Sequence, residues 1–139
     1  MEPRPRRDLK ILTLLAKMAE DVVPVSRSRH AAAVVLDGTI VSFGVNQNKT
    51  HPFQAKYSHH PEARMIHAEN SALLKALKRL PREDLKRADL YVSRIKTPVG
   101  TSELTWGNSC PCLGCQRAIR EFGLRRVIHT LEGRDFAIL

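Results

Sequence analysis

Aromatic residues are scarce in this chain, at 5% of its 139 positions. Proteins that hold single-stranded nucleic acid usually stack bases on aromatic side chains beside a basic groove. Here only Trp106 and Phe53 stand out for that role. Long apolar runs are also lacking. Ile11 to Leu15 and Ala31 to Leu36 fall well short of the roughly 20 residues that a membrane-crossing helix needs. Cysteine is limited to Cys110, Cys112 and Cys115, an odd and crowded set that argues against a disulfide framework and for a metal or a redox couple. The basic N-terminus carries no small-residue cleavage site, so no export signal is read and a cytoplasmic location is expected.

The length suits one domain, spanning residues 1–139, with one core. A hydrophobic fraction of 42% and a charged fraction of 27% are ordinary for a globular chain and exclude gross disorder. The net charge of +9 points towards anionic partners such as nucleotides or nucleic acid. It does not choose among them, because the basic residues are spread along the chain and most read as solvated surface.

Apolar periodicity predicts a helix over Asp8 to Asp21, with Leu9, Ile11, Leu12, Leu15 and Met18 on its buried side. Two short strands, Ala31 to Leu36 and Thr39 to Gly44, flank Asp37-Gly38, a dipeptide that favours a hairpin turn. Asn46 to Arg64 has no clean period and reads as a long loop with at most one helical turn. A helix follows over Met65 to Leu80, then a strand over Ala88 to Ile95 and a second long connection from Thr97 to Cys110. Cys112 to Phe122 is helical and closed by Gly123. Val127 to Thr130 is a strand, and a turn at Gly133 leads to a last short strand, Phe136 to Leu139. This order implies a three-layer α-β-α sandwich around a mixed sheet of four to five strands.

Two motifs fall at the starts of successive helices: His67-Ala68-Glu69, and Pro111-Cys112-Leu113-Gly114-Cys115. Cysteines three apart on a first helical turn place both sulfurs on one side, and a helix N-terminus favours thiolate over thiol. With His67 they supply three of the four ligands zinc prefers, which leaves one position for water, as in catalytic sites. Glu69 stands two positions after the proposed ligand, where its carboxylate can move protons without binding the metal. Other readings use the same residues. A Cys-x-x-Cys pair alone also fits a redox couple or a structural zinc knuckle. Cys110, Cys112, Cys115 and His67 could form a closed structural site, and Glu69 could be only a helix-start carboxylate in a non-catalytic zinc module. Asn46 could simply shape a strand exit.

The pairing of H-x-E with P-C-x-x-C is a recognised signature of the zinc deaminases. On these residues and on the order of elements around them, from about Ala31 to Thr130, the chain resembles the cytidine deaminase superfamily. The resemblance implies zinc held by His67, Cys112 and Cys115, with Glu69 as the catalytic proton carrier. It also implies that Ala68 holds the ring carbonyl through its N–H, and that Asn46, in a Gly-x-Asn run after the first hairpin, contacts the sugar. Activated water would add to the amino-bearing carbon, and ammonia would leave.

Several substrate classes occur in that superfamily. The basic segment holding Lys49, His51, Lys56, His59, His60 and Arg64 suits a phosphate and is similar to the corresponding segment of phage-type deoxycytidylate deaminases. Lys56 is the candidate phosphate ligand. Its histidines could instead hold a second zinc, but their spacing is poor for that. A turn at Gly133 sets the last strand antiparallel, as in the free-nucleoside enzymes. The polynucleotide and tRNA enzymes cross over to a parallel strand, for which little chain remains after Thr130. Trp106 stands too far before Pro111 to match the Ser-Trp-Ser-Pro-Cys run of the polynucleotide enzymes. The expected partner is therefore a small cytosine nucleotide, with single-stranded DNA or RNA as the alternative. A homo-oligomer and no membrane association are expected.

Overall fold

A computed structural model describes residues 4–21, 28–46, 52–57, 67–98, 100–101 and 103–139. In chain order the elements are α1 (Arg4–Glu20), β1 (Ser28–Leu36), β2 (Thr39–Val45), α2 (Pro52–Tyr57), α3 (Ala68–Leu77), β3 (Asp89–Lys96), β4 (Thr105–Gly107), α4 (Leu113–Phe122), β5 (Arg126–Leu131) and β6 (Asp135–Ile138). A 3-10 segment, Arg82–Arg87, links α3 to β3.

The sheet runs β2-β1-β3-β5-β6, with β4 added beside β3. Among the described residues only the β3–β5 pair is parallel, so the sheet is mixed as expected. Its six strands exceed the four to five read from the sequence. The extra strand is β4, which pairs with Arg94, Ile95 and Lys96 where β5, paired with residues 89 to 92, no longer covers β3. Three residues are too few to leave a period in the sequence, so β4 follows from its partner's open edge. β6 lies antiparallel to β5, in agreement with the turn expected at Gly133.

Two apolar layers cover the sheet. Ala32, Val34, Leu90, Val92 and Val127 pack against α3, α4 and Tyr57 of α2 on one face. Ala31, Ala33, Val35, Tyr91 and Ile128 pack against α1 on the other. Successive strand residues alternate between faces, and the small side chains of β1 let helices approach both sides.

Helix α1 begins earlier than the periodicity suggested. Pro5 is tolerated in its first turn, where backbone N–H groups lack intrahelical partners anyway. Its buried stripe is Asp8, Ile11, Leu12, Leu15, Ala16 and Ala19, whereas Leu9 is exposed. Asp8 takes the inward position because it has partners there: Tyr91 donates its hydroxyl to Asp8, and Arg126 donates at 3.1 and 3.2 Å. Arg126 also reaches Asp89 at 2.8 Å, joined there by Arg125. This buried network fastens α1 to β3 and β5.

The β1–β2 hairpin turns on Asp37 and Gly38, both at positive φ (52° and 77°), as the tight two-residue connection demands. From β2, Ser42 and Gly44 face α3. Ser42 donates to the Ala72 carbonyl at 2.8 Å. A Cβ on Gly44 would lie 2.4 Å from the Ala68 oxygen and the Ala72 nitrogen. The glycine is thus what lets the first turn of α3 sit directly on the strand, two residues from Asn46.

Candidate active site

Two helix starts converge on one point. His67 is the N-cap of α3 and Cys112 the N-cap of α4. His67 Nδ1 lies 3.5 Å from Cys112 Sγ and 3.3 Å from Cys115 Sγ. A tetrahedral zinc with Zn–S of about 2.3 Å and Zn–N of about 2.0 Å sets an N···S edge of about 3.5 Å. The spacing therefore fits a single ion between these atoms, and the donor set is one zinc favours. Among the described residues this is the one His/Cys/Asp/Glu cluster shaped for a metal. Cys110 does not join it. That residue is exposed and anchors its own N–H on Asn108 Oδ1 at 2.9 Å. The closed four-ligand arrangement is therefore not formed, and the cluster offers three protein ligands.

The approach to Cys112 is held in place by Ser109. Its hydroxyl donates to the Val92 carbonyl and accepts from the Thr130 N–H, both at 2.8 Å. Thr130 in turn donates to the Gly107 carbonyl at 2.8 Å. The chain leading into α4 is thereby pinned to β3 and β5. Within the motif, the Cys115 N–H donates to Cys112 Sγ at 3.5 Å, so the first ligand also caps the helix that carries the second.

Charge is distributed unevenly across the trio. Hydrogen bonding from Cys115, helped by His67, outweighs burial and pulls the Cys112 thiol down to about 3. Bonding to Cys112, together with burial, pushes Cys115 well up. Cys112 likewise raises His67, against the effect of burial. Glu69, 4% exposed on the first turn of α3, has its carboxyl raised by burial, while the nearby His67 charge opposes that shift. A carboxyl whose proton affinity is raised beside a metal site is suited to carrying a proton.

Asn46 is buried at the end of β2, and its Oδ1 accepts the His30 N–H at 2.7 Å. Ala68, fully buried, opens α3 between His67 and Glu69. Lys56 stands apart from the trio: it is exposed, 4.0 Å from Glu121 at the far end of α4. The other basic residues of that segment, Lys49, His51, His59, His60 and Arg64, lie outside the described residues.

Two neighbours of the site escaped the sequence reading. Gln54, fully buried in α2, accepts the His67 N–H at 3.1 Å and approaches Cys115 Sγ with its amide nitrogen at 4.0 Å. It sits in a stretch without periodicity, and only an unusually apolar pair around it, Phe53 and Tyr57, hints at burial. His30 pairs with Arg94 across β1 and β3, on the same face as Ala32. Burial and then Arg94 push its imidazole down to about 4, with His67 and Cys112 also within electrostatic reach.

The model of the cytidine and deoxycytidylate deaminase zinc-binding region matches residues 5–131. The chain belongs to this deaminase family. Its zinc is therefore the metal for which His67, Cys112 and Cys115 are positioned. No curated protein sequence matches the chain. Among solved structures, a cytidine deaminase from Burkholderia pseudomallei is similar, with 24% identity and a TM-score of 0.64, over 94% of this chain and 90% of that one. The dCMP deaminase of cyanophage S-TIM5 in its apo form is similar too, with 20% identity and a TM-score of 0.57, over 96% and 87% of the two chains. That phage enzyme has also been solved in complex with dCMP and dUMP. Membership of the family makes this protein a zinc-dependent deaminase, and no helix among the described residues is long and apolar enough to cross a membrane.

Proposed function

We propose that this deaminase converts a cytosine mononucleotide, deoxycytidylate or a close relative, into the uracil nucleotide by hydrolysis. The observation that carries the reading is Glu69, buried on the first turn of α3 beside the three-ligand cluster. Zinc bound there supplies the positive charge that makes water a nucleophile at neutral pH. Glu69 takes the proton from the attacking water and delivers it to the ring nitrogen beside the amino-bearing carbon. It then helps a second proton reach the departing amine. The C–NH2 bond breaks and a C=O bond forms: the oxygen of water stays on the ring as the new carbonyl oxygen, and the amino group leaves as ammonia with the protons taken from water. The Ala68 N–H would hold the ring carbonyl, and Asn46, fixed by its bond to His30, would hold the sugar.

The small-molecule reading is supported by where the aromatic residues sit. Trp106 packs with α1 on the sheet face opposite α3 and α4, and Phe53 stacks on Phe122 with centroids 6.0 Å apart. Neither is presented as a platform for a strand of bases. The antiparallel β6 agrees with the same reading. Lys56 would serve the phosphate by exchanging Glu121 for it. Glu121 is six residues from Cys115, about 9 Å along a helix axis, a span comparable with that between the base and phosphate of a mononucleotide.

The test is a panel of cytidine, deoxycytidine, their monophosphates and single-stranded oligonucleotides assayed for ammonia release. Deoxycytidylate or cytidylate should be the preferred substrate. Efficient deamination of an oligonucleotide, weakening steeply with salt, would place the activity on nucleic acid instead.

A further inference from the structure

Gln54 joins three elements of the site with one buried side chain. Its Oε1 accepts from the His67 backbone N–H at 3.1 Å and from Asn70 Nδ2 at 2.8 Å. Two donors at one end of an amide identify that end as oxygen. The NH2 end is then the one directed at Cys115 Sγ, 4.0 Å away. Around it, α2 is fastened along α4: Arg117 donates to the Tyr57 carbonyl at 2.6 Å, and Phe53 stacks on Phe122. The amide has little freedom to turn elsewhere.

We propose that Gln54 is a positioning residue of the metal centre, donating an N–H to the Cys115 ligand sulfur while bracing the His67 backbone. Groups that hydrogen-bond to ligands orient them and tune their basicity. Here each sulfur is served by an N–H of different origin: Cys112 by the Cys115 backbone at 3.5 Å, Cys115 by Gln54. The donated N–H stabilises Cys115 as a thiolate and draws electron density off its sulfur. Because Gln54 belongs to α2, the placement of that helix is coupled directly to the metal. The inference rests on the His67, Cys112 and Cys115 metal site and is independent of which base or nucleotide is the substrate.

The test separates the donor role from simple bracing. Gln54→Glu keeps an oxygen for His67 and Asn70 but turns a carboxylate oxygen towards the sulfur. Gln54→Met removes both functions at similar length. Each folded variant, checked by circular dichroism, is titrated with zinc against a chelator and loaded with cobalt for absorption spectroscopy. Both should bind zinc about 10- to 100-fold more weakly. Their thiolate-to-cobalt charge-transfer bands should move to lower energy, because the sulfur loses its hydrogen bond. If the zinc affinity and the band of Gln54→Glu match those of the wild type, Gln54 is only a brace between α2 and α3. If Gln54→Glu does not fold, Gln54→Met decides by its charge-transfer band: a shift to lower energy reports the lost hydrogen bond to sulfur, and an unmoved band leaves Gln54 as a brace alone. Neither measurement depends on turnover, so failure of this inference is distinguishable from failure of the proposed function.

Discussion

His67 Nδ1 meets Cys115 Sγ at 3.3 Å although the two residues are 48 positions apart. Gly44 seats α3 against β2, and the Ser109–Thr130 contacts fix the entry to α4, so two helix N-termini arrive at one point. The ligand set follows from that convergence. Cys112→Ala or Cys115→Ala should abolish stoichiometric zinc binding, since a three-ligand site does not survive the loss of one. Cys110→Ala should retain it. Metal content of the purified variants, by atomic emission, checks both, and zinc loss in Cys110→Ala would contradict the assignment.

The pairing of Asp89 with Arg125 and Arg126 predicts a pH-dependent stability. Burial alone would raise the Asp89 carboxyl, but Arg125 and Arg126 outweigh it and hold it below its usual value. A depressed carboxylate contributes stability above its unfolded pKa of about 3.9, and that contribution is lost as pH falls through the folded value. Arg126→Met should destabilise the protein at pH 7 by about 3–5 kcal/mol, as expected when a buried ion pair loses one partner. The gap from the wild type should close below about pH 4. Chemical denaturation at several pH values measures it, and a gap independent of pH would show that packing, not pairing, is what Arg126 supplies.

Lys56 should separate nucleotide from nucleoside. A charge-assisted bond to phosphate is worth about 1.5–3 kcal/mol, so Lys56→Ala should raise the KM for deoxycytidylate by about tenfold or more. Deoxycytidine should be nearly unaffected. An equal change on both, or none on either, would leave Lys56 as the surface partner of Glu121 that the free protein shows.

Much of this was legible in the sequence, for identifiable reasons. The metal-binding trio His67, Cys112 and Cys115 was readable because metal ligation and helix starts both restrict residue type at fixed spacing. The hairpin at Asp37-Gly38 was readable because few dipeptides accept positive φ twice. Periodicity misassigned Leu9 and gave no place to Asp8, since a pattern that sorts by hydrophobicity cannot anticipate an inward carboxylate whose partners, Tyr91 and Arg126, are 83 and 118 positions away. Gln54 and His30 were missed for a related reason. Their importance lies in contacts made by tertiary packing, and an isolated amide or imidazole carries no local signal.

The most direct test of the central claim is turnover by Glu69→Gln. The substitution keeps the shape of the side chain and removes its ability to carry a proton. Ammonia release from the best substrate of the panel, measured alongside zinc content, should fall by about 10²- to 10⁴-fold with the zinc retained. A variant that keeps zinc and more than about a tenth of the wild-type rate, where a proton-carrying role predicts the loss above, would contradict the account.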